Sequence, residues 1–404
     1  MTASLLLAAV AWSLATRGGT DLRDLVVVLA LLGSAGVAVR ARLPRDPLLV
    51  GSLAALLTWL VALGPLRDGL SLETARIPLL VGAATLTVLV VARLDRAQRE
   101  LFVTGLVVLG CLHAVVVLGE FALAVAQGVP YPSRPASTLG SATGLGMLLV
   151  ATSVLTAREA ERGGGRLSGL ALGLQGAALL ATGSRTAILV AGVLLLGYAA
   201  TRPSRVLRAL TGLAVLVGGA MVAWRVATEP LEQRPHLWQQ ALGRIAEHPL
   251  VGAGTLPEPY ERSVPGARVT THAHNELLQW GVEYGLVGLA LGVLVVVLAL
   301  RRCRSWTTQD CWLQVAAAAP LCAGLVDFTL RITAVAVVAA ALAALATTEP
   351  PAALPDEPVT PALVGARPSS ARAPRSPSAR TSDVRRRWRP GRPARRGPPA
   401  SPPR

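Results

Sequence analysis

His272-Ala-His274-Asn275-Glu-Leu-Leu-Gln-Trp-Gly-Val-Glu-Tyr284 runs straight into Gly285-Leu-Val-Gly288 and then Leu-Ala-Leu-Gly-Val-Leu-Val-Val-Val-Leu-Ala-Leu300. The run Leu286–Leu300 is continuously apolar rather than alternating, which argues for a helix over a strand. Eleven similar runs are read at Ser4–Thr16, Leu25–Val39, Leu48–Leu63, Ile77–Ala92, Leu101–Ala126, Thr143–Ala157, Leu167–Thr182, Thr186–Ala200, Leu210–Val226, Cys311–Val326 and Ile332–Ala346. The expected fold is therefore an all-α polytopic membrane protein with about 12 transmembrane helices, several of them short for an upright crossing. Residues 1–348 form the membrane domain, residues 225–284 an extended outward-facing loop within it, and residues 349–404 a disordered basic tail.

Composition agrees. Apolar residues make up 52% of the 404, charged ones 15%, and mean hydropathy is +0.52, so lipid must solvate most of the chain. The net charge of +16 suggests nucleic acid, but its distribution does not. The tail holds twelve arginines against four acids, 12 − 4 = +8, half of the total. Its Pro, Ser, Ala and Arg content lacks apolar periodicity, and it suits either contact with anionic headgroups or a passive reinforcement of topology. Cys111, Cys303, Cys311 and Cys322 lie in or beside apolar runs, against a disulfide framework or a Cys-ligated zinc. No basic segment precedes the first apolar run, which favours a first spanning helix over a cleaved leader.

Arginines orient the bundle. Five alternate loops carry three each (Arg40, Arg42, Arg45; Arg93, Arg96, Arg99; Arg158, Arg162, Arg166; Arg202, Arg205, Arg208; Arg301, Arg302, Arg304). The opposite short loops carry seven in all: Arg17, Arg23, Arg67, Arg76, Arg134, Arg185 and Arg331. The positive-inside rule places the richer set and both termini in the cytoplasm and the 225–284 loop outside.

That loop collects four of the five histidines: His236, His248, His272 and His274. Leu237, Ala241, Leu242 and Ile245 recur at helical spacing, so Arg234–Glu247 is expected as an amphipathic helix near the interface, ended by Pro249 and turned by Gly252 and Gly254. Arg234 at its start suits an anion such as a phosphate, or a guanidinium snorkelling to headgroups. His274 can take a proton from a hydroxyl, with Asn275 orienting it or capping the next helix. His272-x-His274 with Glu276 or His248 leaves a zinc reading open, without the HExxH spacing.

Three further features lie upstream. Gly183-Ser-Arg185-Thr is a very short turn whose Arg185 either faces a cavity that suits a pyrophosphate or simply marks an outer loop. Tyr131-Pro-Ser-Arg134 forms a rigid loop leading to the small residues Ser141, Ala142, Gly144 and Gly146, which permit close helix packing. His113 and Glu120 are ionisable residues in or near the fifth run, functional candidates or, for Glu120, the point where that helix surfaces.

In this order the pieces resemble the bacterial O-antigen ligase superfamily, polytopic glycosyltransferases that use polyprenyl-diphosphate-linked sugars. The signature of a His, then Asn, Ser or Gln, nine residues and Gly-x-x-Gly is matched by His274-Asn275, residues 276–284 and Gly285-Leu-Val-Gly288. Arg234-x-x-x-Trp238 with His248-Pro-Leu-x-Gly252-x-Gly254 looks like the family's loop helix, and Ser184-Arg185-Thr186 like its Ser-Arg turn. Gly140-Ser-Ala-Thr143 replaces an Asn-Pro-Asn-like patch, and the outward loop is short, which leaves the acceptor open. The resemblance implies metal-independent, cofactor-free, inverting transfer from a lipid-linked glycan donor to a glycan or lipid acceptor at the inner membrane, with membrane lipids as surroundings and no nucleic acid partner. Arg185 and Arg234 would bind the diphosphate, His274 would act as base, and Asn275, His272, Arg134 and Trp238 would contact substrate. A polymerase of the same superfamily shares these donor residues. A twelve-helix transporter of lipid-linked sugars is the alternative class, against which the loop's place after the ninth run and the absence of a visible repeat both argue.

Overall fold

The structure, a computed structural model, describes residues 1–41, 46–68, 72–129, 135–163, 165–200, 205–228, 233–254, 260, 270, 272–301 and 311–348. Arg134, its loop, Cys303, several of the arginines counted above and the basic tail lie outside the described residues.

Thirteen helices account for nearly all of it: α1 (Thr2–Ala15), α2 (Leu22–Ala38), α3 (Pro47–Asp68), α4 (Leu72–Val91), α5 (Arg96–Ala126), α6 (Ala142–Glu161), α7 (Gly165–Ala181), α8 (Arg185–Ala200), α9 (Arg205–Thr228), α10 (Gln233–Glu247), α11 (Glu276–Leu300), α12 (Cys311–Gly324) and α13 (Thr333–Thr347). Twelve occupy the twelve apolar runs, and α10 is the amphipathic helix of the loop. Among the described residues the only β-pairing is an isolated bridge between Tyr260 and Thr270. By length and composition α3, α4, α5 and α11 are long and apolar enough to cross a membrane, while α1, α8, α12 and α13 are shorter apolar helices.

Polar caps start the helices where the sequence changes character. Asp95 and Gln98 form a reciprocal capping box on α5. Ser141 Oγ accepts the Gly144 N–H at the start of α6, and Ser184 Oγ accepts the Ala187 N–H at the start of α8. Helix α6 is buried among α5, α7, α8 and α12. Its small residues allow this: a Cβ on Gly144 would lie 2.4 Å from Ile332 Cδ1, and one on Gly146 2.6 Å from Ala187 Cβ.

Polar contacts gather the helix ends into two groups. In one, Glu100 on α5 accepts from Arg158 and Arg162 at the end of α6, and Glu161 accepts from Trp312 at the start of α12 and Tyr198 at the end of α8. Arg99 donates to Thr348 just past α13. In the other, Thr333 at the start of α13 donates to Gly19 O beyond α1. There too Glu120, near the end of α5, accepts the Ser137 N–H of a 3-10 turn leading to α6. His113 meets the next residue of that turn, Thr138, at 3.4 Å. Both intramembrane candidates thus serve to seat this turn.

Helix α11 begins ten residues before its apolar run, so residues 276–284 are helical rather than part of an open loop. The reason is burial of polar side chains against one another: Glu276, Gln279 and Glu283 recur on one helix face and are all buried.

Candidate active site

The second group of helix ends holds the candidate residues. Asn275 is the N-cap of α11: its Oδ1 accepts the Leu278 N–H at 3.0 Å and its Nδ2 donates to Leu325 O at 2.7 Å. Both ends of the amide are engaged in tying α11 to the chain beyond α12. The preceding residue, His274, holds a left-handed backbone (φ 51°), uncommon for a side chain of this size. Its neighbour Ala273 is fixed on both sides. The Ala273 N–H donates to Gln279 Oε1 at 2.7 Å, and the Trp238 indole N–H donates to Ala273 O at 3.0 Å. Trp238 therefore holds the histidine segment through its backbone.

His274 Nδ1 lies 3.3 Å from Asp327 Oδ1, a carboxylate whose side chain is only 7% exposed. Donation from Nδ1 to this carboxylate leaves Nε2 as the nitrogen able to accept a proton. The same Oδ1 accepts the Phe328 N–H at 2.9 Å, and Oδ2 lies 3.6 Å from Arg234 Nη2. Arg234, at the first turn of α10, also donates to Val326 O at 2.8 Å. Burial works against ionisation of Asp327, but the hydrogen bond and charge of His274, the Phe328 N–H and Arg234 outweigh it and hold its carboxyl below the ordinary value. Phe328 sits edge-on to both histidines, with ring centroids 4.8 Å from His272 and 4.9 Å from His274.

A buried ionic network lies beneath. Arg331 donates to Glu283 Oε2 at 2.8 Å and pairs with Glu276 Oε2 at 3.4 Å. Glu276 Oε1 accepts the Leu330 N–H at 3.1 Å, and Gln279 Nε2 donates to Glu283 Oε1 at 2.6 Å. Glu276 thus turns toward Arg331 rather than toward His272 and His274, unlike the zinc reading. Among the described residues no three His, Cys, Asp or Glu side chains gather around a point where a metal ion would sit. His248, at the end of α10, is exposed and outside the cluster.

The two glycine-bearing motifs are one device. Gly285 breaks α11 with φ 69° and ψ −177°. The Leu286 N–H turns to Pro249 O at 2.8 Å, and Val282 O accepts the Ala253 N–H. The 249–253 turn presses so closely on this break that a Cβ on Gly285 would lie 2.2 Å from Leu250 O, and one on Gly252 2.5 Å from Gly285 N.

So His274, Arg234, Trp238, Asn275 and His272 come together, as their order in the sequence suggests. Arg185 starts α8, half-buried after the Ser184 cap, and α8 packs against α12, the helix leading to Asp327. Asp327, Phe328 and Arg331 were not anticipated as site residues. The signal was present: Asp327 and Arg331 are the only charged residues between Cys311 and Thr348.

With this geometry in view, comparison with known proteins is specific. Residues 170–293 match the O-antigen ligase family. An O-antigen ligase of Pseudomonas aeruginosa is 33% identical over 139 residues, 32% of this chain and 33% of that protein. The exopolysaccharide production protein ExoQ of Rhizobium meliloti is 30% identical over 179 residues, 40% of this chain and 38% of that protein. These alignments span well under half of either relative. The comparisons support the O-antigen ligase and polymerase superfamily, and with the apolar helices they make this a multi-pass membrane protein. The matched stretch contains Arg185, Arg234, Trp238, His272, His274 and Asn275; Asp327 and Arg331 lie beyond it.

Proposed function

We propose that this chain transfers a glycan from a polyprenyl diphosphate to an acceptor hydroxyl at the outer face of the cytoplasmic membrane. The observation that carries the reading is one buried carboxylate, Asp327, joined to both a proton acceptor, His274, and a cation, Arg234. The arginine asymmetry, fifteen against seven, supports an outward site and cytoplasmic termini.

In this reading the acceptor oxygen attacks the anomeric carbon while the bond from that carbon to the diphosphate oxygen breaks. The diphosphate leaves with the bonding electrons, and the hydroxyl proton passes to His274 Nε2. A single displacement of this kind inverts the anomeric centre. Asp327 fixes the ring tautomer and stabilises the imidazolium that forms. Arg234, and Arg185 from α8, stabilise the departing diphosphate as its charge grows. Asn275 and Trp238 hold the histidine segment, and His272 lines the site with Phe328. The lipid diphosphate is already an activated leaving group, so this step needs neither nucleotide nor metal.

The similarity to ExoQ, whose name describes exopolysaccharide production, favours a second reading: the acceptor is another lipid-linked repeat and the product a polymer. One experiment separates the readings. Purified protein in liposomes with a polyprenyl-diphosphate oligosaccharide and candidate acceptors gives a single transfer product for a ligase and a ladder for a polymerase. His274→Ala abolishes either product at unchanged protein abundance. Movement of the lipid-linked sugar across the bilayer by both proteins, with no new glycosidic bond, refutes the enzyme reading in favour of a transporter.

A further inference from the structure

The break in α11 releases backbone carbonyls, and groups that carry no proposed chemistry take them up. Besides the Ala253 N–H on Val282 O, the Trp59 indole N–H donates to Tyr284 O at 3.0 Å, and the Arg67 guanidinium reaches Glu283 O at 3.5 Å. Arg67 also donates to Val251 O and Gly252 O, the turn pressed against Gly285. Both donors come from α3. The start of α4 supplies a third: Arg76 donates to Arg331 O at 3.1 Å, on the segment that carries Asp327.

These contacts divide α11. Residues 286–300 continue the apolar helix, while residues 276–284 carry Glu276, Gln279 and Glu283, the groups that anchor Arg331 and the Ala273 backbone. The first half is thus a platform for His274, and Asp327 sits on a second segment. Nothing in the α11 ladder alone fixes the platform once Gly285 interrupts it. The fork of Arg67 and the ring N–H of Trp59 fix it to α3, and Arg76 fixes the Asp327 segment to α4.

We propose that the α3–α4 hairpin is a positioning clamp: Trp59, Arg67 and Arg76 set the separation of His274 and Asp327 without touching substrate. The inference rests on the glycosyl-transfer reading above for its kinetic consequence, though its structural part stands apart from it. A misplacement of about 1 Å at a reacting centre can cost on the order of a hundredfold in rate.

The test uses the full chain in liposomes, with Trp59→Phe and Arg67→Met. Both keep bulk and remove donors, and Arg67→Lys restores a cation that cannot span three carbonyls. The expected result is a kcat at least about tenfold lower in the first two variants, KM for the lipid-linked donor within about twofold of wild type, and partial recovery in the lysine variant. Backbone amide exchange, which reads the clamp without any activity, should rise in residues 276–284 and stay unchanged in residues 286–300. Unaltered exchange in both variants overturns the clamp, whether or not transfer occurs. Wild-type kcat in both variants overturns it too, and a rise in KM at constant kcat would make Arg67 a substrate contact instead. Absence of transfer by the wild type sinks the function reading alone.

Discussion

Asp327→Asn is the substitution whose outcome the geometry constrains most. The amide is isosteric and can still accept the Phe328 N–H, so the change removes charge rather than packing. It removes an ionised acceptor 3.3 Å from His274 Nδ1 in a site where that side chain is 7% exposed. A hydrogen bond to a charged group is worth about 1.5–3 kcal/mol, and each ~1.4 kcal/mol in a barrier is tenfold, so kcat should fall about 10- to 150-fold. The donor KM should not rise. Arg234 keeps Val326 O and loses only an anion that competes with the diphosphate for its guanidinium. The pH dependence is constrained as well. Because the Asp327 carboxyl is held below its ordinary value, its contribution is present above that value and is lost only as pH falls through the lowered one. The loss of kcat on substitution should therefore be present in full from about pH 7 to about pH 9. The assay is steady-state transfer to a saturating acceptor, with monodispersity in detergent confirming that the variant folds. A folded variant with wild-type kcat, in the same preparation where His274→Ala is inactive, refutes the carboxylate–histidine argument. A loss carried wholly by KM refutes it as well, because it would make Asp327 part of binding.

The other predictions follow from the groups around this pair. Arg331→Ala leaves Glu276 and Glu283 buried without their cation; breaking a buried pair costs about 3–5 kcal/mol, read as a large fall in the unfolding midpoint in detergent. Gly285→Ala forces a Cβ to within 2.2 Å of Leu250 O at φ 69°, so stability should fall by about 1–3 kcal/mol or more, and a variant as stable as wild type would refute the reading of the break. Trp238→Phe keeps the ring but strands Ala273 O, which costs about 1–3 kcal/mol; kcat should fall more than donor KM changes if the indole holds the loop, whereas a rise in KM alone would favour substrate contact.

The apolar runs made the twelve main helices legible, because lipid or protein must surround a continuous apolar stretch and the backbone then bonds within itself. Hydropathy alone does not extend the run back over Glu276–Tyr284, where polar residues are buried by pairing with Arg331 rather than exposed, whereas the reading of Asn275 as a helix cap does. Hydropathy scores a residue alone and has no means to register a partner that lies 48 positions away, as Arg331 does from Glu283. Arg67 and Arg76 were equally opaque. In a count of loop charges they are only two of the seven arginines in the sparser set of loops, yet Arg67 caps a carbonyl freed by the break at Gly285 on another helix and Arg76 caps Arg331 O on the Asp327 segment.

The candidate site was legible as a set of residue types but not as a mechanism. His274 and Arg234 could be named because the histidines cluster in one loop and the family resemblance implies roles for this pair. Asp327 could not be placed beside them, since 53 positions and two apolar helices, α11 and α12, separate it from His274. Its scarcity was the clue. A carboxylate following an apolar helix, four residues before an arginine, must have its charge met from another helix or lose it. The two groups that meet it, His274 when protonated and Arg234, are the ones the proposed transfer uses. Burial therefore does two things at once here: it makes the lone carboxylate expensive, and it ties the folding of the segment from Arg234 to Asn275 to the assembly of an imidazole beside a fixed positive charge.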